Sequence, residues 1–364
     1  MIVASTIIML LHRLWFLVYC SCVLAVVCLS YDDQEQGLVE YRQRIGGRHR
    51  GFIYRTIIVD QSGRGHFNTI QSAVDSVPAD NNKWICIYVR AGKYKNRLRE
   101  EQVYIPYFKP FIYLKGDGKR KTIVVWNGYD NIMTSATFIS EADNIVVKSM
   151  SFWNSYNNPY TIGKPVSTAV AARISGDKSA FYRCGFFGFQ DTLWDVQGRH
   201  YFKRCTIQGA VDFIFGAGQS IYEKCTISVI TGGLNGLAGY ITAQGRATAE
   251  ETNGFVFKEC QVVGNGLVYL GRPWRDYARV IFYNSSMTSI VVPEGWNSWK
   301  SFAATGNQIT FSEVGCHGLG ANKKNRVSWE AMLSPQMLSY FTSIKFIDNE
   351  GWIRRQPFHM LPPR

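Results

Sequence analysis

A short phrase that recurs along the chain limits the possible folds more than any other feature. It consists of an aromatic residue, a cysteine three positions later and an apolar residue two positions after the cysteine. The copies are FYRCGF (181–186), FKRCTI (202–207), YEKCTI (222–227) and FKECQV (257–262). Related segments without the cysteine are NIVVKSMSF (144–152) and ARVIFYNSSM (278–287). Short strands separated by turns at a period near 20 residues predict a solenoid in which each coil stacks on the one before.

We therefore predict an all-β fold, a parallel β-helix. A β-sandwich is the alternative, but a sandwich has no reason to repeat one phrase at a fixed coil length. A short helix is expected near the N-terminus, where Asn68 and Gln71 have the spacing of a capping box. Ser334-Pro335 is typical of a helix start, so we expect a helical and loop tail packed outside the solenoid.

The N-terminal segment has the pattern of a secretory leader. An apolar stretch from Leu14 to Leu29 follows the basic Arg13, which predicts a signal peptide over residues 1–30, with a signal anchor as the alternative. Residues 31–55 would form a short extension and residues 56–364 the main domain. Secretion would leave six cysteines, whose state, as disulfides or stacked free thiols, is left open: Cys86, Cys184, Cys205, Cys225, Cys260 and Cys316.

Composition and charge narrow the class of protein. With 46% hydrophobic and 18% charged residues among 364, the chain can bury a large core, which excludes a disordered protein. The formal net charge of +13 favours an acidic partner such as an acidic polysaccharide, although charge also serves solubility alone. No nucleic-acid recognition motif accompanies the charge, so we expect no nucleic-acid partner.

Two aspartates occupy the same phase of the repeat. Asp191 lies seven residues after Cys184, and Asp212 lies seven residues after Cys205. The repeat therefore predicts that the two carboxylates are neighbours, about one strand spacing of 4.8 Å apart. Two like charges so close raise the pKa of one member, which leaves one acid and one base. The alternative interpretation makes Asp191 a turn cap and Asp212 half of a structural ion pair.

The residues around the aspartates fit a catalytic pair. Gln190 could donate to an oxyanion, and Trp194 offers a flat apolar surface for a sugar ring. Asp212 lies in the apolar run GAVDFIFG (209–216), where burial is costly unless a cation compensates. Arg272, two residues before Trp274, is the expected partner.

Three motifs, GFQDTLW (188–194), GAVDFIFG (209–216) and LGRPW (270–274), together resemble the pectin methylesterases, most closely the plant form, over about 56–352. The resemblance implies a right-handed parallel β-helix that hydrolyses methyl esters of polygalacturonate without a metal or an organic cofactor. It also implies secretion to the cell wall, methyl-esterified homogalacturonan as substrate, an inhibitor protein as a candidate partner and a monomeric state. Residues 31–55 are too short for the inhibitor-like pro-domain of many plant members. Asn284, in the sequon Asn-Ser-Ser, is a candidate glycosylation site.

The resemblance also implies a role for each site residue. Asp212 would be the nucleophile, and Asp191 the general acid and then the general base. Gln190 would donate to the oxyanion, while Arg272 would hold Asp212 ionised. Contacts to the substrate would come from residues that are mostly aromatic: Arg272, Trp274, Thr168, Trp194 and Phe215.

Two of this chain's departures from the family pattern concern positions that would contact the substrate. Thr168 stands where a glutamine that donates to the oxyanion is usual, and Ile132 stands where a substrate-contacting threonine is often found. Loss of one oxyanion donor costs about 3–4 kcal/mol. An alternative function is therefore a catalytically weakened pectin-binding wall protein, and a third is a pectin-cleaving lyase or hydrolase. We do not expect an aspartic protease, because Asp191 is followed by Thr-Leu rather than Thr-Gly and the repeat does not suit two lobes.

Overall fold

The computed structural model describes residues 55–95, 101–156, 166–234, 236–299 and 308–358. The predicted signal peptide and all of the predicted extension except Arg55 lie outside the described residues.

The described strands form three sheets, in which every neighbouring pair is parallel. Sheet A contains β1 (Arg55–Val59), β2 (Ile85–Val89), β5 (Ile112–Gly116), β8 (Val146–Lys148), β11 (Ser179–Tyr182), β14 (Arg199–Lys203), β17 (Gln219–Glu223), β20 (Gly254–Lys258), β23 (Arg279–Tyr283) and β25 (Thr310–Val314). Sheet B contains β3 (Gly92–Tyr94), β6 (Thr122–Trp126), β9 (Ser151–Asn154), β12 (Gly185–Phe187), β15 (Thr206–Gly209), β18 (Thr226–Ile230), β21 (Gln261–Asn265) and β24 (Ser286–Met287). Sheet C contains β4 (Val103–Ile105), β7 (Phe138–Ser140), β10 (Ala172–Ile174), β13 (Leu193–Asp195), β16 (Ile214–Gly216), β19 (Gly239–Gln244) and β22 (Val268–Pro273). Successive coils contribute one strand to each sheet, which is the topology of a parallel β-helix.

The corners between sheets are single residues in the left-handed conformation. Between sheets A and B, Arg183, Arg204 and Lys224 each have φ of 53–54° and immediately precede the cysteine of the repeat. Between sheets B and C the corner residues are Asp191 and Asp212, with φ of 59° and 46°. Aspartate tolerates this conformation better than most residues. Asp212 therefore lies at a corner, and the strand in GAVDFIFG begins only at Ile214.

The interior is a set of stacked identical positions. The aromatic residue of each repeat forms a ladder, Phe181, Phe202, Tyr222, Phe257 and Phe282, with ring centroids 4.5–5.0 Å apart. Cys184, Cys205, Cys225 and Cys260 form a second buried ladder, and all six described cysteines are free. The question left open by the sequence is thus answered in favour of stacked free thiols. Each thiol of the ladder donates to a backbone carbonyl of the preceding coil.

In the described parts of the chain, two α-helices lie outside the coils. The first, α1 (Ile70–Asp75), is capped by Thr69, whose hydroxyl accepts from the Ser72 N–H, so the predicted capping box starting at Asn68 is wrong by one residue. Glu101 from a distant segment accepts from the N–H groups of Ile70 and Gln71, which supplies the rest of the cap.

The C-terminal tail packs on the outer face of sheet A. Helix α2 (Pro335–Thr342) starts with Ser334 as its N-cap, as predicted. Short 3₁₀ turns cover Thr231–Leu234, Leu319–Ala321 and Ile344–Phe346. The tail is attached through Lys258, which donates to the Thr342 carbonyl, and through a hydrogen bond between Tyr182 and Gln356. No described helix is long and apolar enough to cross a bilayer.

Candidate active site

Asp191 and Asp212 lie in register on adjacent coils. Strands β13 and β16 pair Leu193 with Ile214, and the bridge between Gln190 and Val211 continues the same register through the two aspartates. Their backbones are thus about one strand spacing, 4.8 Å, apart. Both residues are buried, with 8% and 7% of their surface exposed. The spacing relative to the cysteines predicted this juxtaposition.

Arg272 holds the carboxylate of Asp212 through two parallel hydrogen bonds. Its Nε donates to Oδ1 at 2.8 Å and one terminal nitrogen donates to Oδ2 at 2.5 Å. Arg272 lies on β22, two coils beyond Asp212, and reaches back past the strand that contains Ala243. Only a long side chain can cross that distance, and a guanidinium matches both carboxylate oxygens.

The pKa values of the two carboxyls are shifted differently, because only Asp212 is hydrogen-bonded to the guanidinium. Burial, together with the charge of Asp212, raises the pKa of Asp191 to about 7, against a smaller opposing effect of Arg272. Burial also raises the pKa of Asp212, but the hydrogen bonds and charge of Arg272 act against that rise. Arg272 thus favours the ionised form of Asp212, although burial leaves the pKa of that carboxyl above its ordinary value. Within the pair, Asp191 therefore binds a proton more readily than Asp212, which has the opposing hydrogen bonds from Arg272.

Gln190 and Thr168 lie on adjacent coils, near this pair. The Ala169 N–H donates to the Gln190 carbonyl at 3.2 Å, so Thr168 occupies the coil before Gln190. Both side chains are half-buried. Gln190 directly precedes Asp191 in the chain. The hydroxyl of Thr168 is shorter than the glutamine side chain usual in the family.

Aromatic side chains form a surface next to the aspartates. Trp194 and Phe215 are paired in register on β13 and β16 and stack with centroids 5.3 Å apart. Trp274 contacts Phe215 edge to face at 6.1 Å and is 42% exposed. Ile132 packs against the apolar cluster beneath these rings. The predicted contact residues Trp194, Phe215 and Trp274 thus lie together, with faces suited to sugar rings.

The structure adds two aromatic residues that the sequence did not single out. Tyr240 and Trp299 enclose the Arg272 guanidinium, whose carbon lies 4.0 Å and 3.8 Å from their ring centroids. Such contacts fix the orientation of the guanidinium. Tyr240 escaped detection because the coil between β16 and β19 is longer than the repeat, with Ile214 paired to Thr242. For Trp299, the phrase EGWNSW (294–299) was the available signal.

A third addition is Arg173, which precedes Trp194 in the same row of sheet C. Its guanidinium lies 5.6 Å from the Trp194 ring and pairs with Glu141 at 2.9 Å. The Arg173 pair thus supports the outer end of the aromatic surface.

Asn284 is exposed and lies at the corner between sheets A and B with φ of 47°, remote in the fold from the two aspartates on the corner of sheets B and C.

Among the described residues, no group of three or more His, Cys, Asp and Glu side chains is arranged to hold a metal ion.

Comparison with known proteins yields a consistent set of likenesses. The family model described as Pectinesterase matches residues 56–350. Probable pectinesterase 29 of Arabidopsis thaliana is 54% identical over 312 residues, covering 84% of this chain and 91% of that protein. Probable pectinesterase 55 of the same plant is 52% identical, covering 84% and 92%.

A solved structure shows the same likeness in three dimensions. Pectin methylesterase from carrot superposes with a TM-score of 0.75 at 28% identity, covering 85% of this chain and 98% of the carrot chain. Together with the three parallel sheets, this likeness confirms the predicted all-β, right-handed parallel β-helix.

Proposed function

The chain belongs to the pectinesterase family, and on that premise we propose how its paired aspartates act on the methyl esters of pectin. The protein is a carboxylic ester hydrolase that removes methyl esters from homogalacturonan, leaving de-esterified pectin and methanol. The residues that perform each step are our proposal. The observation that carries it is the buried pair Asp191 and Asp212, of which only Asp212 is bound by Arg272.

In the first half of the reaction, Asp212 is the nucleophile. One carboxylate oxygen of Asp212 attacks the carbonyl carbon of a galacturonate methyl ester, and the Gln190 amide donates to the resulting oxyanion. As the tetrahedral intermediate collapses, the bond to the methoxy oxygen breaks and Asp191 gives that oxygen its proton. Methanol leaves, and the galacturonyl group remains bound to Asp212 as an anhydride.

In the second half, Asp191 acts as the base. Now ionised, it takes a proton from water while the water oxygen attacks the galacturonyl carbon. Collapse of this second intermediate breaks the bond to Asp212, which returns as a carboxylate held by Arg272. The product acid ionises, and Asp191 is again protonated for the next cycle.

The apolar surface gives the substrate its place. Trp194, Phe215 and Trp274 would contact galacturonate rings, while Thr168 would assist the oxyanion directly or through water. The net charge of +13 would draw the anionic, partly de-esterified polymer toward the protein.

The test is the substitution Asp212→Asn, assayed by methanol release from methylated pectin. An amide cannot act as this nucleophile, so we expect release to fall by at least about 10³-fold, with an unchanged circular dichroism spectrum. Asp80→Asn is a matched control, because Asp80 is an exposed aspartate with φ of 53° on a distant turn. Undiminished release by the Asp212 variant would remove Asp212 from the mechanism.

We further propose that the protein is secreted to the cell wall as a glycosylated monomer. The apolar leader over residues 1–30 and the exposed sequon at Asn284 support this proposal. N-terminal sequencing, glycosidase treatment and gel filtration of protein from a plant secretion system would test the three features together.

Family resemblance also makes a pectinesterase inhibitor protein a candidate partner, which a pull-down from wall extracts would test.

A further inference from the structure

A cluster of cations lies around the corner between sheets A and B, away from the aspartates at the corner between sheets B and C. We call this cluster the basic corner and define it as Lys115, Lys119, Lys148, Arg183 and Arg204. The parallel register of sheet A places these cations together. Lys115 and Lys148 are register partners on neighbouring strands, and the register partner of Lys148 on the next strand is Tyr182, which directly precedes Arg183. Arg183 and Arg204 then occupy the same left-handed corner position on adjacent coils.

A loop extends the cluster across the coils. The Ser151 hydroxyl donates to the Lys119 carbonyl, and Lys119 Nζ donates to the Thr206 hydroxyl at 2.7 Å. Thr206 is two residues after Arg204. The ammonium of Lys119 therefore lies against the residue two positions after Arg204, although Lys119 and Thr206 are 87 positions apart in the sequence.

The positive charge of the basic corner is not neutralised within the described part of the chain. None of its five cations has a carboxylate within 4 Å there, and Lys115, Arg183 and Arg204 are exposed. The nearby acidic groups are engaged with other partners. Glu223 pairs with Lys203, Glu259 pairs with Lys224, and Asp117 accepts from the Tyr88 hydroxyl and the Ala91 N–H.

The cations also repel one another. Burial, together with the charges of Lys115 and Arg183, lowers the pKa of Lys148. Holding like charges together costs free energy, which a bound polyanion would recover.

We propose that the basic corner binds a stretch of de-esterified polygalacturonate, as a second polymer site separate from the catalytic one. The corner cations repeat along the solenoid axis at the strand spacing of about 4.8 Å, which suits a linear polymer with one carboxylate on each sugar ring. An anionic membrane is flat and would suit a broad face better than a narrow corner. The proposal rests on the proposed function, because that reaction produces the polymer bound here.

The experiment measures binding of polygalacturonate without methyl esters to the full-length secreted protein, by co-sedimentation over a range of ionic strength. The test variant is Arg183→Gln with Arg204→Gln. Glutamine is used because asparagine at 204 would create the sequon Asn-Cys-Thr. The matched control, Lys324→Gln with Lys345→Gln, removes two exposed cations from the C-terminal region. Methanol release from short methylated oligogalacturonates is measured in parallel.

We expect the test variant to bind about five- to tenfold more weakly at low salt, and the control to stay within about twofold of the parent. The difference should shrink as salt rises, because these charges are exposed. Methanol release from oligomers should be unchanged in both variants. Thermal unfolding of the test variant should match the parent, which separates lost binding from lost folding.

Three outcomes would overturn the proposal. One is equal binding by the parent and the test variant, and another is loss of all binding in Trp274→Ala, which would place the polymer in the catalytic cleft. The third is weaker binding of the test variant to anionic phospholipid vesicles but not to polygalacturonate. A different result would separate the two proposals. If the parent protein releases no methanol but its binding of polygalacturonate still depends on Arg183 and Arg204, the proposed function is contradicted while the polymer site at the basic corner is supported.

Discussion

Asp191 and Asp212 show how two identical side chains acquire different chemistry from their partners. Both are buried and both lie at left-handed corners, yet only Asp212 receives hydrogen bonds from Arg272. The guanidinium acts on Asp191 through its charge alone, and burial with the charge of Asp212 raises the pKa of Asp191 to about 7. The proton is thus held by the residue proposed as the acid.

The dependence of kcat/KM on pH should report this raised pKa. Asp191 must be protonated to expel methanol, so kcat/KM should fall as pH rises through about 7. The fall at lower pH should come from protonation of Asp212. Asp191→Asn should abolish the alkaline limb and lower the rate by about 10²–10⁴-fold. An unchanged alkaline limb in that variant would assign the limb to another group.

The same pKa has a consequence for stability. Because the folded-state pKa of Asp191 lies above its ordinary value of 3.8, its contribution favours the folded state at low pH and is lost as pH rises toward 7. The Asp191→Asn variant has no carboxyl to ionise at this position and so does not lose this stabilisation. The free energy of unfolding of the variant, relative to that of the parent, should therefore increase from pH 4 to pH 8. Urea unfolding of both proteins across that range measures the difference.

Thr168 tests whether oxyanion stabilisation is incomplete. Thr168→Gln would restore a side-chain amide beside Gln190, and one oxyanion donor is worth about 10²–10³ in rate elsewhere. We expect kcat to increase by at least about tenfold with little change in KM. Thr168→Val, which removes the hydroxyl but keeps the shape, should lower kcat if the hydroxyl contributes. No gain from Thr168→Gln would mean that Gln190 and the backbone suffice.

At the scale of elements, the site depends on the segment that follows the last strand of sheet C. Strand β22 presents Arg272, and the chain then returns to place Trp299 over the guanidinium, opposite Tyr240 on β19. Trp299→Ala should free one face of Arg272, weaken its hold on Asp212 and raise the pKa of that carboxyl. We expect about a tenfold loss of kcat/KM and a shift of the acidic limb to higher pH.

Trp299→Phe is the conservative control, because a phenyl ring retains a cation–π face. It should restore most of the activity and return the acidic limb toward its original position. If Trp299→Ala loses activity without any shift of the acidic limb, then Trp299 contacts substrate and does not act through Arg272.

At the scale of the whole molecule, stability comes from aromatic residues stacked at the same position of successive coils. Phe202 is fully buried between Phe181 and Tyr222. Phe202→Ala should lower the free energy of unfolding by about 3–5 kcal/mol, because it removes contacts with both neighbouring coils. Tyr107→Ala, which truncates an aromatic side chain that is 73% exposed, should change it little. Urea unfolding would measure both, and equal effects would contradict the role of the ladder.

The sequence by itself determined the parts of this protein that repeat. Equal offsets from Cys184 and Cys205 were enough to bring Asp191 and Asp212 together, because parallel strands keep one register from coil to coil. The buried charge of Asp212 also indicated the need for Arg272.

Only the tertiary structure decided what lies outside the repeat. The clamp of Tyr240 and Trp299 arises from a coil of unequal length and a returning segment, and the position of Lys119 arises from a loop that crosses two coils. The free cysteines belong here as well, since similar spacing fits either a disulfide or stacked thiols. A sequence repeat predicts which residues are neighbours on successive coils, because they occupy the same position of the repeat. Contacts made by segments that interrupt the repeat depend on the path of the chain in space.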